Sequence, residues 1–379
     1  MFPKGYSMSS VSKTKPPGTK AEPLERDMVK DWARKHQVEF PTAENVLWLT
    51  SILRAITTSG LGEDFALIGG SAIVFLYRDM YRFSTDLDLD FVGHPNLGYK
   101  GIRELEERKE KDLAMFEEIA RQLGLKFKPL PKPQPRFAQY EMIYPSAYTR
   151  TGKVELDVSY RYCHSVLGTV PRPWPITDDS FLPAFSVNTL KEEEIYASKA
   201  IAMVDVKERL DFPNEIGLFT KRKIRHLFDV YLLASEALHG KSKIDLKRFR
   251  DLFVLFGMTR IKNFEYFRGN AIGSYTDADI KSELLSVVPQ GFPVPTVDEM
   301  KWTVRKFLDL HVFNYREREY RFMEDFRSGH FRPEDLFGAG DIASMLSNTQ
   351  YYKEILGKVA PLQKHRDSRG KRAIKKAMP

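Results

Sequence analysis

Residues 67–92 read LIGGSAIVFLYRDMYRFSTDLDLDFV, and three patterns succeed one another in and just before them. The apolar run Phe65-Ala66-Leu67-Ile68 predicts a short strand, and Gly69-Gly70-Ser71 a tight turn after it. A helical run follows through Ile73, Phe75, Leu76 and Tyr77. From Phe83 the chain alternates strictly, with Phe83, Thr85, Leu87, Leu89 and Phe91 on one face and Ser84, Asp86, Asp88 and Asp90 on the other.

Carboxylates repeated along one strand face are costly, because same-face neighbours lie roughly 7 Å apart and strands disfavour Asp. An apolar back and an acidic front make sense when cations sit on the front. Hard ions such as Mg²⁺ take one or two carboxylates and complete their shell with phosphate oxygens. Two of them about 4 Å apart stabilise both the attacking and the leaving oxygen of an in-line displacement. The glycines let backbone N–H groups approach an anion, the following helix N-terminus favours negative charge, and the Ser71 hydroxyl can donate to a phosphate oxygen. The unit therefore predicts a site for a nucleoside triphosphate (NTP) and two Mg²⁺ ions. An EF-hand loop counted from Asp86 fails, since its sixth and twelfth positions hold Phe91 and Leu97 instead of Gly and Glu. A merely solvated, charged sheet edge leaves the Gly-Gly-Ser turn unexplained.

The chain has 379 residues, enough for two domains or one large one. Its single cysteine, Cys163, rules out an internal disulfide and suits a reducing, cytoplasmic setting. No apolar run approaches the ~18 residues of a membrane span. A formal charge of +8 and a pI of about 9.2 suit a phosphate-bearing partner such as RNA.

Outward from the centre, residues 1–22 are polar and rich in Ser, Lys, Pro and Gly, and are expected to form a disordered leader. A short helix through Val29 and Ala33 precedes a longer one carrying Val46, Leu49, Ile52 and Ile56, with Thr42 as its expected N-cap. Residues 101–123 predict a charged helix, and the Pro-rich basic stretch 126–136 a surface loop. Phe137–Tyr144 and Val154–Tyr160 predict two strands; in the second, Glu155, Asp157 and Ser159 share a face. Asp157 is therefore a candidate third carboxylate, with an exposed strand face as the alternative. Residues 163–188 predict loops and irregular strand, and Thr189-Leu190-Lys191-Glu192 a capping box opening a helix with Lys199 on its polar side. Lys221, Arg222, Lys223 and Arg225 precede His226 and Asp229 on the next helix. Beyond residue 243 the periodicity is helical, and residues 364–376 are strongly basic.

Gly69-Gly70-Ser71, a helix, and then Arg82-Phe83-Ser84-Thr85-Asp86-Leu87-Asp88 together resemble the signature of the DNA polymerase β-type nucleotidyltransferases, in the form found in the AbiEii family, the toxins of type IV toxin–antitoxin pairs. The resemblance raises Asp157 over Glu155 as the third acid, places Lys199 against the phosphates, and matches Asp229 to the family's second acidic helix position; His226 departs from it by replacing an Asp. It implies an α/β fold of the α+β kind: a nucleotidyltransferase core with a mixed sheet over residues 23–188, a mainly helical C-terminal domain over 189–362, and a basic tail over 363–379. It further implies that Asp86, Asp88 and Asp157 hold Mg²⁺, that Gly69, Gly70 and Ser71 cradle phosphates, that Arg82 and Lys199 neutralise the triphosphate, and that Asp229 supports Lys199 or the acceptor. The implied acceptor is RNA, with tRNA foremost, and the implied partner is a cognate antitoxin, with no membrane involved. Transfer to a protein hydroxyl and plain nucleotide or RNA binding are the alternatives.

Overall fold

The computed structural model describes residues 22–359 apart from 99, 132–135, 178–181, 204–222, 262–263, 265–271 and 273–274. The expected leader, the basic tail, Lys221 and Arg222 lie outside the described residues.

Seven strands form one mixed sheet in the order β3-β4-β5-β2-β1-β7-β6. The strands are β1 (Phe65–Ile68), β2 (Asp86–Phe91), β3 (Lys126–Leu130), β4 (Phe137–Pro145), β5 (Thr151–Ser159), β6 (Thr169–Pro173) and β7 (Ser186–Leu190). At the centre β2 runs antiparallel to β1 and parallel to β5, while β7 flanks β1 in parallel. The alternation of β2 does the sorting: Leu87, Leu89 and Phe91 are buried on one face, joined by Leu156 and Val158 of β5.

Among the described residues four α-helices precede β3: α1 (Arg26–His36), α2 (Phe40–Thr57), α3 (Gly69–Ala72) and α4 (Ile102–Gln122). Helix α2 starts with Pro at its first turn, and its residues from Thr42 to Ile56 are buried nearly all round, the mark of a helix enclosed by its neighbours. It touches β2, β5, β7 and α4. Phe116 of α4 meets Phe65, which meets Phe91, so the apolar back of the sheet closes on aromatic rings.

After β7 the chain is helical: α5 (Glu192–Ala202), α6 (Ile224–Leu238), α7 (Leu246–Arg260), α8 (Asp277–Asp279), α9 (Val297–His311), α10 (Glu317–Arg327), α11 (Glu334–Phe337) and α12 (Asp341–Asn348). The buried apolar side chains from Leu24 to Val359 form one connected cluster, so sheet and C-terminal helices share a core.

Three local expectations are corrected. Thr42 lies inside α2, whose N-cap is Glu39, and its hydroxyl donates to the Ser286 carbonyl at 2.9 Å. The Thr189–Glu192 capping box does not form: Thr189 belongs to β7, its hydroxyl donates to the Leu67 carbonyl at 2.7 Å, and α5 opens after Lys191. The stretch expected as a surface loop begins as β3, at the sheet edge; there Pro129 needs no ladder partner on its open side.

Candidate active site

A cavity of about 310 Å³ separates the acidic face of β2 and β5 from α5, α6 and α7. Its floor is set by register. Parallel pairing puts Asp86 beside Glu155, Asp88 beside Asp157 and Asp90 beside Ser159, so Asp157 arrives next to Asp88 with Asp86 diagonal to it. All three aspartates line the cavity. Burial raises the Asp88 carboxyl above the ordinary carboxylate range; the charge of Lys223 opposes that shift and neighbouring Asp86 adds to it. Two half-buried carboxylates set side by side suit a cation between them.

The glycine turn forms one wall. Gly69 has φ +69°, and a Cβ there would lie 2.0 Å from Asp88 Oδ2; at Gly70 a Cβ would lie 2.8 Å from Arg82 Nη2. Both positions are bare because acid and cation side chains pass directly over the backbone. The expected turn is itself helical: Gly69–Ala72 form α3, only four residues long, which widens into a π-helical turn at Ile73–Tyr77. An anion here would meet the N–H groups of the turn and no extended helix dipole.

Of two residues expected at the phosphates, Ser71 is placed differently and Arg82 is already paired. Ser71 is fully buried and donates to the Asp86 carbonyl at 2.6 Å, fastening the turn to β2; it is absent from the cavity wall. Ser84, which shares the polar phase of Asp86 and Asp88 and was legible there, does line the cavity, as do Ser159 and Ser198. Arg82 does line the cavity, but it is 1% exposed, and its Nε and Nη2 each donate to Asp229 at 2.7 Å, so its charge is already engaged by a buried carboxylate.

Asp229 is the centre of that arrangement. Fully buried on α6, it also accepts from the Tyr81 hydroxyl at 2.7 Å and from Lys199 Nζ at 2.5 Å. Burial alone would raise its carboxyl, but Arg82 and Lys199 overcome that and hold it well below the ordinary range. Burial pulls the Lys199 ammonium down, against the attraction of Asp229. Lys199 nonetheless lines the cavity. Its ammonium has three N–H donors, of which Asp229 takes one.

Lys223 and Arg225, at the start of α6, each stand 3.5 Å from Asp86 Oδ2. His226 lines the same cavity; burial first, then the charges of Lys199 and Lys223, hold its imidazole neutral. The deep end of the cavity holds Asp90, Tyr162, Glu194 and Arg260, none singled out from sequence as a site residue. Arg260 donates to the Tyr162 hydroxyl at 2.8 Å and to Ser198 at 2.9 Å, while burial pushes Glu194 up to about 7. The available signal was Arg260, which closes the largely apolar run 252–258 of α7.

Among the described residues no group of three or more His, Cys, Asp or Glu side chains converges into a ready metal cage. The donor set fits an ion that is completed by substrate: two adjacent carboxylates, Asp88 and Asp157, leave the remaining positions to phosphate oxygens and water, as Mg²⁺ prefers.

A family model described as "Nucleotidyl transferase AbiEii toxin, Type IV TA system" matches residues 51–325. Among solved structures, the nucleotidyltransferase toxin MenT4 from Mycobacterium tuberculosis H37Rv is 16% identical with a TM-score of 0.49, over 89% of this chain and 99% of that one. No curated protein matches.

Proposed function

The chain belongs to the AbiEii nucleotidyltransferase toxin family, and from that premise we propose that it transfers a nucleoside monophosphate from an NTP to the 3′ end of RNA, with tRNA as the acceptor and Mg²⁺ as the cofactor. Translation and growth would stop as a result, and a cognate antitoxin would counter it. The observation that carries this reading is the parallel register of β2 and β5, which sets Asp88 beside Asp157 in the floor of a cavity walled by Gly69 and Gly70.

In the reaction an acceptor hydroxyl oxygen bonds to the α-phosphorus, the bond from that phosphorus to the bridging oxygen breaks, and pyrophosphate leaves with the electron pair. Mg²⁺ held by Asp88 and Asp157, with Asp86 at their side, would offset the charge building on the phosphoryl oxygens. The turn N–H groups of Gly69 and Gly70 cradle the outer phosphates. Lys199, with N–H donors beyond the one Asp229 takes, reaches a phosphate oxygen. Lys223 turns from Asp86 toward the triphosphate when it enters. Asp157 takes up the hydroxyl proton and passes it to water. Arg82 stays behind the turn and positions it through Asp229.

The test is incubation with α-labelled NTPs, Mg²⁺ and total tRNA. Label on RNA that is lost with EDTA and in Asp88→Asn supports the reading. Transfer to no RNA counts against it, and label on protein bands reassigns the acceptor.

A further inference from the structure

A second, more open cleft of about 440 Å³ adjoins the first. Arg225 lines both, and Thr85, the residue before Asp86, forms part of the second wall. Its other walls come from three places distant in sequence: Thr42 and Asn45 on α2, Tyr144 on β4, and Ser282 with Glu283 in the π-helical turn Ile280–Leu284. Apart from Pro41 and Val287, every lining side chain carries a hydrogen-bonding group.

Three of those groups are unsatisfied. Asn45 Oδ1, Glu283 Oε2 and Arg225 Nε are buried atoms without a hydrogen-bond partner. An unsatisfied buried atom is costly, and native proteins rarely keep several together. Elsewhere the same side chains are engaged: Asn45 Nδ2 donates to the Lys153 carbonyl at 2.8 Å, and Arg225 Nη2 stands 3.5 Å from Asp86. Two acceptors and one donor without partners therefore belong to residues that line one cleft, which shares Arg225 with the acidic cavity.

In-line displacement brings the acceptor to the phosphorus from the side opposite the leaving group, so acceptor and triphosphate need separate approaches. We propose that the second cleft is the acceptor subsite and holds the terminal ribonucleoside of a polynucleotide. The ribose hydroxyls donate to Asn45 Oδ1 and Glu283 Oε2, and Arg225 Nε donates to the last phosphodiester. Glu283 disfavours a bare phosphate in its own corner and favours a hydroxyl. A protein side chain would bring one hydroxyl to two waiting acceptors, whereas a ribose brings two. A volume of about 440 Å³ lies within the ordinary range of about 300–1,000 Å³ for ligand clefts.

The assignment rests on the transfer chemistry proposed above, and the experiment separates the two. Wild-type protein, the double variant Asn45→Ala/Glu283→Gln, and Ser282→Trp, which fills the cleft from an exposed position, are assayed with Mg²⁺, labelled NTP and RNA oligonucleotides ending in a ribose or a 2′-deoxyribose. The expected result is an acceptor KM raised ~10-fold or more in both variants, with the KM for NTP within ~2-fold of wild type. The 2′-deoxy end should cost the wild type ~10-fold and the double variant almost nothing. If wild type labels RNA while both variants keep its acceptor KM and its ribose preference, the cleft assignment is overturned and the transfer reading stands. If wild type labels only protein, the assignment falls with the RNA acceptor. An unchanged NTP KM guards against misfolding, and Ser282→Trp keeps the test decisive if the double variant is unstable.

Discussion

The molecule holds two charged clusters a short way apart, and they are built on opposite rules. Around Asp229, one carboxylate meets the Arg82 guanidinium, the Lys199 ammonium and the Tyr81 hydroxyl at 2.5–2.7 Å, all of them buried. On β2 and β5, three carboxylates share a face, and the cations at Asp86 stand off at 3.5 Å. The first cluster is closed by short contacts inside the fold; at Asp86 the second keeps its cations at long range, where an arriving ligand can displace them. Conspicuous charges in a motif can thus be scaffold or working surface, and the distance to the counter-charge tells which.

The comparison breaks most visibly at Asp229. Asp229→Ala leaves two buried cations without their partner and should cost about 3–5 kcal/mol in urea unfolding. Asp88→Asn should do the reverse to stability, because it removes a buried carboxyl whose charged form the fold already disfavours. Its melting temperature should match or exceed wild type while transfer falls by ~10²-fold or more, beyond the 10–100-fold typical of a residue that only supports a metal ligand. If Asp88→Asn melts early and Asp229→Ala does not, the contrast between the clusters is wrong.

Acid sharpens the same contrast. The folded Asp229 carboxyl is held below its unfolded value, so its contribution is present above pH ~4 and lost as pH falls through the folded value. The stability gap between wild type and Asp229→Asn should be full at pH 7, persist to about pH 4, and close below it. Gly69→Ala should cost about 1–2 kcal/mol for its left-handed backbone. Because the new Cβ would meet Asp88, it should also lower transfer in protein that is still folded at assay temperature. The smallest effect belongs to Lys223→Ala, whose loose contact should be worth under ~1 kcal/mol in the same unfolding assay.

These clusters also mark what the sequence discloses. A period of two writes the acidic face of β2 into the chain, and the apolar phase of Leu156 and Val158 does the same for β5. Parallel pairing then needs only the right register to bring Asp157 to Asp88. Arg82 reads like a phosphate ligand because its partner lies 147 residues away, and no local pattern announces such a match. Ser71 and Ser84 look interchangeable as strings; only the turn decides that Ser71 faces β2 and Ser84 the cavity. Thr189 carries a cap's signature, yet β7 claims its hydroxyl for a strand neighbour. The second cleft is assembled from α2, β4 and residues 282–287, so its unsatisfied atoms exist only in three dimensions.

The knot at Asp229 has one more consequence. It rivets α5 and α6 to the segment that leads into β2, at one end of the roof over the acidic floor. Prising α5 or α6 away from that segment would strand ions in a dry interior, whereas about one turn earlier on α6 the contacts of Lys223 and Arg225 with Asp86 are long and cost little to break.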